Sequence, residues 1–147
     1  FMTDHADRTY VDSPAEWVRD QLAAIDAAGS TDAADIMGLP VVVVHIKGAK
    51  SGLWRRVPLM RVEDDGTYAA VASRGGAPEN PSWYYSLVAN PDVDLQDGST
   101  TRTMRARLLS EDERGPWWDR SVAAFPQYAE YQANTERQIP VFVLEPR

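Results

Sequence analysis

The 147-residue chain contains no cysteine. That removes disulfide frameworks, thiolate nucleophiles and thiolate-held metals together. Histidine is almost as scarce, with His5 and His45 far apart in the chain, so no metal centre is expected. Positive charge is also in short supply: 15 Lys and Arg against 22 Asp and Glu leave a net charge of −7. Nucleic acid and anionic membrane surfaces repel such a body, so neither is expected as a partner, and any basic site must be local. Long apolar runs are missing, at the start of the chain and within it, so membrane attachment is not expected and a cytoplasmic location is. Walker, Rossmann and Ser-His-Asp patterns are absent, and no two carboxylates are spaced as an acid–base pair. Neither repeats nor low-complexity tracts occur.

What is present is an ordinary globular composition, 44% apolar, enough for one core and too little for two. A flexible N-terminus over residues 1–12 and a single domain over residues 13–147 are expected. Ser13, Pro14 and Glu16 form a helix start, with Ser13 as cap. Val18, Leu22 and Ile25 then mark one helical face up to about Ala28, and Gly29 is a natural stop. Residues 40–46 are β-branched and apolar on both faces, a buried strand. Residues 54–62 and 67–73 continue as strands, separated by Asp64-Asp65-Gly66, and the three together predict a meander. Pro58 has no N–H for a ladder, so its strand lies at an edge or is interrupted there.

Asn80 followed by Pro81 reads as a capped helix start, running to about Ala89. Residues 93–96 turn through Asp97-Gly98 into a strand over 100–108. Ser110 and Glu113 suggest a second capping box, opening a helix that Pro116 kinks and Pro126 ends. A short helix from Tyr128 to about Thr135 and a strand over 139–144 close the chain. The reading is an α+β fold, mainly β: six mostly antiparallel strands in a small barrel with helices around it.

The stretch that organises the rest is Val71 to Tyr85, a strand passing through Gly75-Gly76 into an aromatic helix. Paired glycines adopt positive φ and turn backbone N–H groups toward one point, which suits an anion or a flat polar ligand; a plain turn has the same signature. Lys50, Arg55 and Arg74 follow neighbouring strands in an otherwise acidic chain. Together they make a phosphate or carboxylate cradle, whereas singly each reads as a solvated surface charge. Tyr128 and Tyr131 share a helix face, where they either line a pocket or pack with Trp118 and Phe125. His45, in an apolar strand, reads as a packed or edge residue.

The ordered motifs Gly48-x-Lys50-Ser51-Gly52 with Arg55 and Pro58-Leu59, Ala72-Ser73-Arg74-Gly75-Gly76-Ala77, Asn80-Pro81-x-Trp83-Tyr84, and Tyr128-x-x-Tyr131 before Arg137-x-Ile139-Pro140 give the chain a resemblance. From about residue 40 to 146 it resembles the deazaflavin-dependent nitroreductase and quinone reductase family, which uses coenzyme F420 on a split, FMN-binding-like β-barrel. The resemblance implies an oxidoreductase passing a hydride from reduced F420 to a small electron-poor acceptor: a quinone, an enone or a nitroaromatic. It implies that Lys50 and Arg55, with Ser51, hold the phosphate and acidic tail, and that Pro58 and Leu59 lie against the ring system. Ala72, Ser73, Arg74, Gly75, Gly76 and Trp83 complete the cofactor site. Met60, Phe125, Tyr128 and Tyr131 correspond to the substrate pocket, with Tyr128, Tyr131 and Ser73 as the groups that act on the acceptor. Some members have tyrosine in place of Met60 and Phe125, so nitroimidazole reduction is not implied. An FMN-dependent enzyme of the related barrel and a non-catalytic cofactor carrier stay open as alternatives, and so do monomer and homodimer.

Overall fold

Four valines in a row hide both faces of a strand only when packed layers cover each side. All four, residues 41–44, are buried. The computed structural model describes residues 7–147. They run α1 (Glu16–Ala28), β1 (Asp35–Ile36), β2 (Leu39–Lys47), β3 (Trp54–Met60), β4 (Glu63–Asp64), β5 (Thr67–Val71), α2 (Ser82–Ala89), β6 (Asp92–Asp97), β7 (Thr100–Leu108), α3 (Glu111–Ala124), α4 (Gln127–Ala133) and β8 (Val141–Pro146). The fold is mixed α and β, a curled antiparallel sheet forming half a barrel. Val42, Val44 and Ile46 of β2 enter the inner core with Leu87, Leu95, Phe142 and Leu144. Val43 faces the other way, under Val18, Leu22 and Ile25 of α1.

All six expected strands are present, but the sheet has eight among the described residues. The extra two, β1 and β4, are two residues long and too short to carry an alternating pattern. The expected meander does not form. β2 pairs with β3 and β6, then β6 with β7, β7 with β8 and β8 with β5, all antiparallel. The Asp64-Asp65-Gly66 reversal closes the short β4–β5 hairpin instead, pairing Glu63 with Tyr68 and Asp64 with Thr67. That leaves β5 to take β8 as its partner along Tyr68 to Val71. β3, which carries Pro58, pairs only with β2 among the named strands, the edge position proline demands.

Local chemistry differs from the pattern at three helix starts. Ser13 accepts a bond from the Ala15 N–H at 3.1 Å, and the helix begins only at Glu16. Asn80 does not cap α2, because its Oδ1 receives the Arg137 guanidinium at 2.8 Å. Ser110 turns its hydroxyl to the Glu113 carboxylate, 3.2 Å away, rather than to the backbone. α3 continues through Pro116 as one helix. Gly29 ends α1 as expected, with φ of 72°.

Residues 1–6 of the expected flexible N-terminus, His5 included, lie outside the described residues. Beyond them the chain lies along β3: the N–H of Trp54 bonds to Thr9 at 2.8 Å and the N–H of Val11 to the carbonyl of Trp54 at 2.9 Å. Arg8 stacks 3.7 Å above the Trp54 ring and pairs with Asp94 at 2.7 Å. No helix among the described residues is long and apolar enough to cross a membrane.

The connection from α4 to β8 holds the loop after β5. Arg137 donates to the carbonyls of Ala72 (3.2 Å), Ser73 (2.9 Å) and Ala77 (2.9 Å), besides Asn80. Gln132 accepts from Ile139 N–H at 2.9 Å and donates to the Arg137 carbonyl at 2.8 Å. Arg114, lying 4.6 Å above the Trp118 ring, donates to the Ile139 carbonyl at 2.8 and 3.1 Å.

At the far end of β6, Asp97 receives the Arg61 Nε at 3.0 Å and the Tyr68 hydroxyl at 2.5 Å. Burial works against its charge, but these bonds outweigh burial and hold Asp97 below the usual carboxylate range. Burial and Asp97 push the Tyr68 phenol up to about 12, so it remains a donor. Because folded Asp97 binds its proton less readily than unfolded Asp97, the cluster stabilises fully above the unfolded pKa of about 4. That stabilisation is lost as pH falls through the lower folded value. Asp97→Asn should therefore cost about 1.5–3 kcal/mol at pH 7, the range for hydrogen bonds to a charged group. Urea unfolding from pH 7 to 2 should show the gap between variant and wild type shrinking with acid.

Candidate functional site

Beyond Trp54, where Thr9 and Val11 bond, β3 has no second strand partner among the described residues, and its residues from Arg55 to Met60 line a cleft of about 1060 Å³. Successive side chains of a strand alternate between its faces, so β3 gives the cleft two flanks. Val57 and Leu59 lie against the inner core with Trp83. On the other flank, Met60 packs with Phe125 and Tyr128. All six side chains line the one cleft.

At one end stands the turn between β2 and β3. Its Gly52 N–H bonds to the Gly48 carbonyl at 3.2 Å, and the Ser51 hydroxyl accepts from Leu53 N–H at 3.1 Å. Asn90 donates to the carbonyls of Lys47 and Gly48 at 3.2 and 3.3 Å, pinning the turn from outside. Lys50, Ser51 and Arg55 line the cleft, and neither Lys50 nor Arg55 makes an ion pair among the described residues. Arg74 reaches the same cleft but shares its charge with Glu79 at 2.7 Å. Both partners are exposed, so an anion competes for Arg74 at little cost. Arg56, the neighbour of Arg55, is committed elsewhere, clamped to Asp26 of α1 at 2.6 and 2.9 Å.

The glycine corner divides its labour. Arg74, Gly75 and Gly76 all have positive φ, at 46°, 63° and 83°. Gly75 lines the cleft, and a Cβ added there would meet nothing within 4 Å. Gly76 lies outside the lining and is buried, and its Cβ would stand 2.8 Å from the Tyr131 carbonyl oxygen. Ala72 is also outside the lining and fully buried, its N–H bonded to the Pro140 carbonyl at 3.0 Å. Ser73 lines the cleft although 8% exposed, and its own carbonyl is held by Gly76 N–H and Arg137.

Pro58, Leu59, Met60, Trp83, Phe125, Tyr128 and Tyr131 all line the cleft. Tyr128 meets Phe125 edge-on at 4.9 Å and lies 6.3 Å from both Trp118 and Tyr131. It therefore packs and lines at once. Burial pushes the Tyr128 phenol well above its ordinary pKa, with Tyr131 adding to the effect, so it is a proton-bearing donor at neutral pH. His45 does not line the cleft; its Nδ1 lies 2.8 Å from the Tyr10 hydroxyl. Among the described residues no three His, Asp or Glu side chains gather as metal ligands.

Sequence reasoning missed two contributors. Arg137, seen only as part of a motif, is the residue that shapes the corner. Ser13, Pro14 and Trp17 bring the start of α1 into the cleft wall; a tryptophan just outside the Val18–Leu22–Ile25 stripe was the available signal.

The model of the F420H(2)-dependent quinone reductase family matches residues 17–146. The F420H(2)-dependent quinone reductase Rv1261c of Mycobacterium tuberculosis is 35% identical over 111 residues, 74% of this chain and 74% of its own. A solved structure of F420-H2 dependent reductase FDR-A is 50% identical, with a TM-score of 0.69 over 76% of this chain and 99% of that one. Another, described as a domain-swapped dimer, is also 50% identical, with a TM-score of 0.72 over 90% and 100% of the two chains.

The two glycines should respond differently to one added methyl group. Gly75→Ala should cost about 1–2 kcal/mol, the penalty of a left-handed backbone alone. Gly76→Ala adds a collision with the Tyr131 backbone and should cost about 1–3 kcal/mol more, the range for overpacking. Urea unfolding of the two variants side by side checks the order.

Proposed function

The chain belongs to the F420H(2)-dependent quinone reductase family, and from that membership we propose how its cleft works as an oxidoreductase site on a split barrel of six principal strands. The observation that carries the reading is the cleft straddling the free edge of β3, with free cations at one end and aromatic rings on the far flank. A long ligand with an anionic tail and a flat ring fits that arrangement. Lys50 and Arg55, with Ser51, hold the phosphate and acidic tail, and Arg74 joins them by exchanging Glu79 for the ligand. Gly75 lines the cleft with open space where a side chain would begin, while Gly76 and Ala72 support the corner from behind. Leu59 and Trp83 form the shelf for the ring, and Pro58, on the Met60 side of β3, bounds that shelf at the strand edge.

When bound, reduced F420 supplies the hydride. The acceptor is a quinone or another small electron-poor molecule such as an enone or nitroaromatic. For a quinone, a hydride and one proton complete the reduction to the hydroquinone, and the proton must reach an acceptor oxygen that gains charge. The chain's part is to bind, orient, exclude water and deliver that proton. Tyr128 is the donor we assign, because it lines the cleft beside Phe125 and can hydrogen-bond an acceptor oxygen as that oxygen gains charge. Tyr131 and Ser73 stand by as further hydrogen-bond donors. Met60 and Phe125 give the acceptor apolar walls. The single domain acts as a monomer or a homodimer.

Two variants test the halves of the site separately. Arg55→Ala should weaken F420 binding by about 1.5–3 kcal/mol, the range for a hydrogen bond to a charged group. Fluorescence titration at low salt measures it, and unchanged affinity would remove Arg55. Tyr128→Phe keeps the ring and deletes the hydroxyl, so kcat with menadione should fall about a hundredfold while F420 affinity holds. Wild-type turnover across the pH range would pass the proton to solvent. Wild-type protein that leaves F420H2 unoxidised in the presence of menadione would overturn the enzymatic reading.

A further inference from the structure

We propose that Trp17 decides which acceptors the cleft accepts, its indole forming the outer wall against which a flat two-ring acceptor lies; this rests on the functional reading above. The starting point is an aromatic that core packing does not explain. α1 buries Val18, Leu22 and Ile25 against Val43. Trp17 falls beside that stripe and stays 54% exposed. A large apolar surface left in water at a cleft wall marks a contact still to be made.

The register of the sheet shows which flank Trp17 serves. Val43, the valine under α1, is directly opposite Pro58 in the β2–β3 pair. Asp26 of α1 clamps Arg56, two residues before Pro58 and therefore on the same face of β3. Met60, two residues after Pro58, continues that face and packs on Phe125 and Tyr128. Trp17 thus extends the flank assigned to the acceptor, away from Leu59 and Trp83.

The wall is held in place. The Arg56–Asp26 clamp is bidentate, and Arg19 donates to the Ser13 carbonyl at 2.7 Å, folding the start of the segment onto its own helix. Upstream, Thr9 and Val11 bond to Trp54, which continues into β3. An ordered, electron-rich indole is a suitable partner for a planar, electron-poor ring, which it meets in offset stacking. A one-ring acceptor is satisfied by the inner aromatics. A second fused ring extends outward and needs Trp17.

The test compares p-benzoquinone with menadione as acceptors of F420H2 in wild type, Trp17→Ala and Trp17→Phe. Trp17→Ala should raise the KM for menadione about tenfold and leave that for p-benzoquinone within about twofold, with the Kd for F420 unchanged. Trp17→Phe should recover most of the difference. A rise in both KM values together, or in neither, would overturn the assignment, because a purely structural role has no reason to separate one ring from two. Should Trp17→Ala fail to fold, Trp17→Leu keeps the bulk, removes the aromatic face and reads the same ratio. Wild-type protein inactive with both quinones would overturn the functional reading and this inference with it; active wild type with an unchanged ratio in the variants removes Trp17 alone.

Discussion

A guanidinium with four partners shapes the centre of this molecule. Arg137 gathers three main-chain carbonyls and one amide oxygen from a loop more than fifty residues earlier in the chain. Bonds from a charged donor are stronger than neutral ones, and this one donor ties four acceptors of the loop together. Positive φ at Arg74, a residue with a Cβ, puts strain into that loop, while Gly75 and Gly76 take the same region freely. Arg137 offsets the strain, and Gln132 and Arg114 in turn fix the segment that carries it. The geometry of the ligand corner therefore depends on a residue absent from the cleft wall.

The same logic separates the cations of the site. In a chain of net charge −7, most arginines are neutralised by neighbours: Arg56 by Asp26, Arg61 by Asp97, Arg107 by Glu113 and Glu145. Those pairs shape the surface and the sheet ends. Lys50 and Arg55 have no such pair among the described residues and face the cleft together. Binding energy for an anion is then available without first breaking a salt bridge, and the field is concentrated at one end because the rest of the surface is acidic.

Local chemistry was legible in the chain, and distant partnership was not. The buried valine strand, the edge imposed by Pro58, the Gly29 stop and the basic residues of the site each follow from a few neighbouring residues. The pairing of β5 with β8 does not, because Tyr68 meets Leu144 across about half the chain and nothing in either strand names the other. Asn80 carried a sound capping signal that a stronger donor, Arg137, took over. Gly75 and Gly76 look interchangeable in sequence; only the approach of Tyr131 makes one a support and leaves the other open. Trp17 resembles any stray surface aromatic until the cleft beside it is seen.

The free side of β3 creates the cleft, and an unpaired strand edge is also an invitation to another chain. Pro58 sits within that edge, where it has no N–H to give an incoming strand, and Arg55 and Arg56 put charge close by. A foreign strand attempting to extend the sheet there would lose a ladder bond and meet the charge of Arg55, unpaired among the described residues, beside the Arg56–Asp26 pair. The proline in the wall of the cleft thus also guards the chain against sticking edge-to-edge to its own copies at the place where the sheet must remain unzipped.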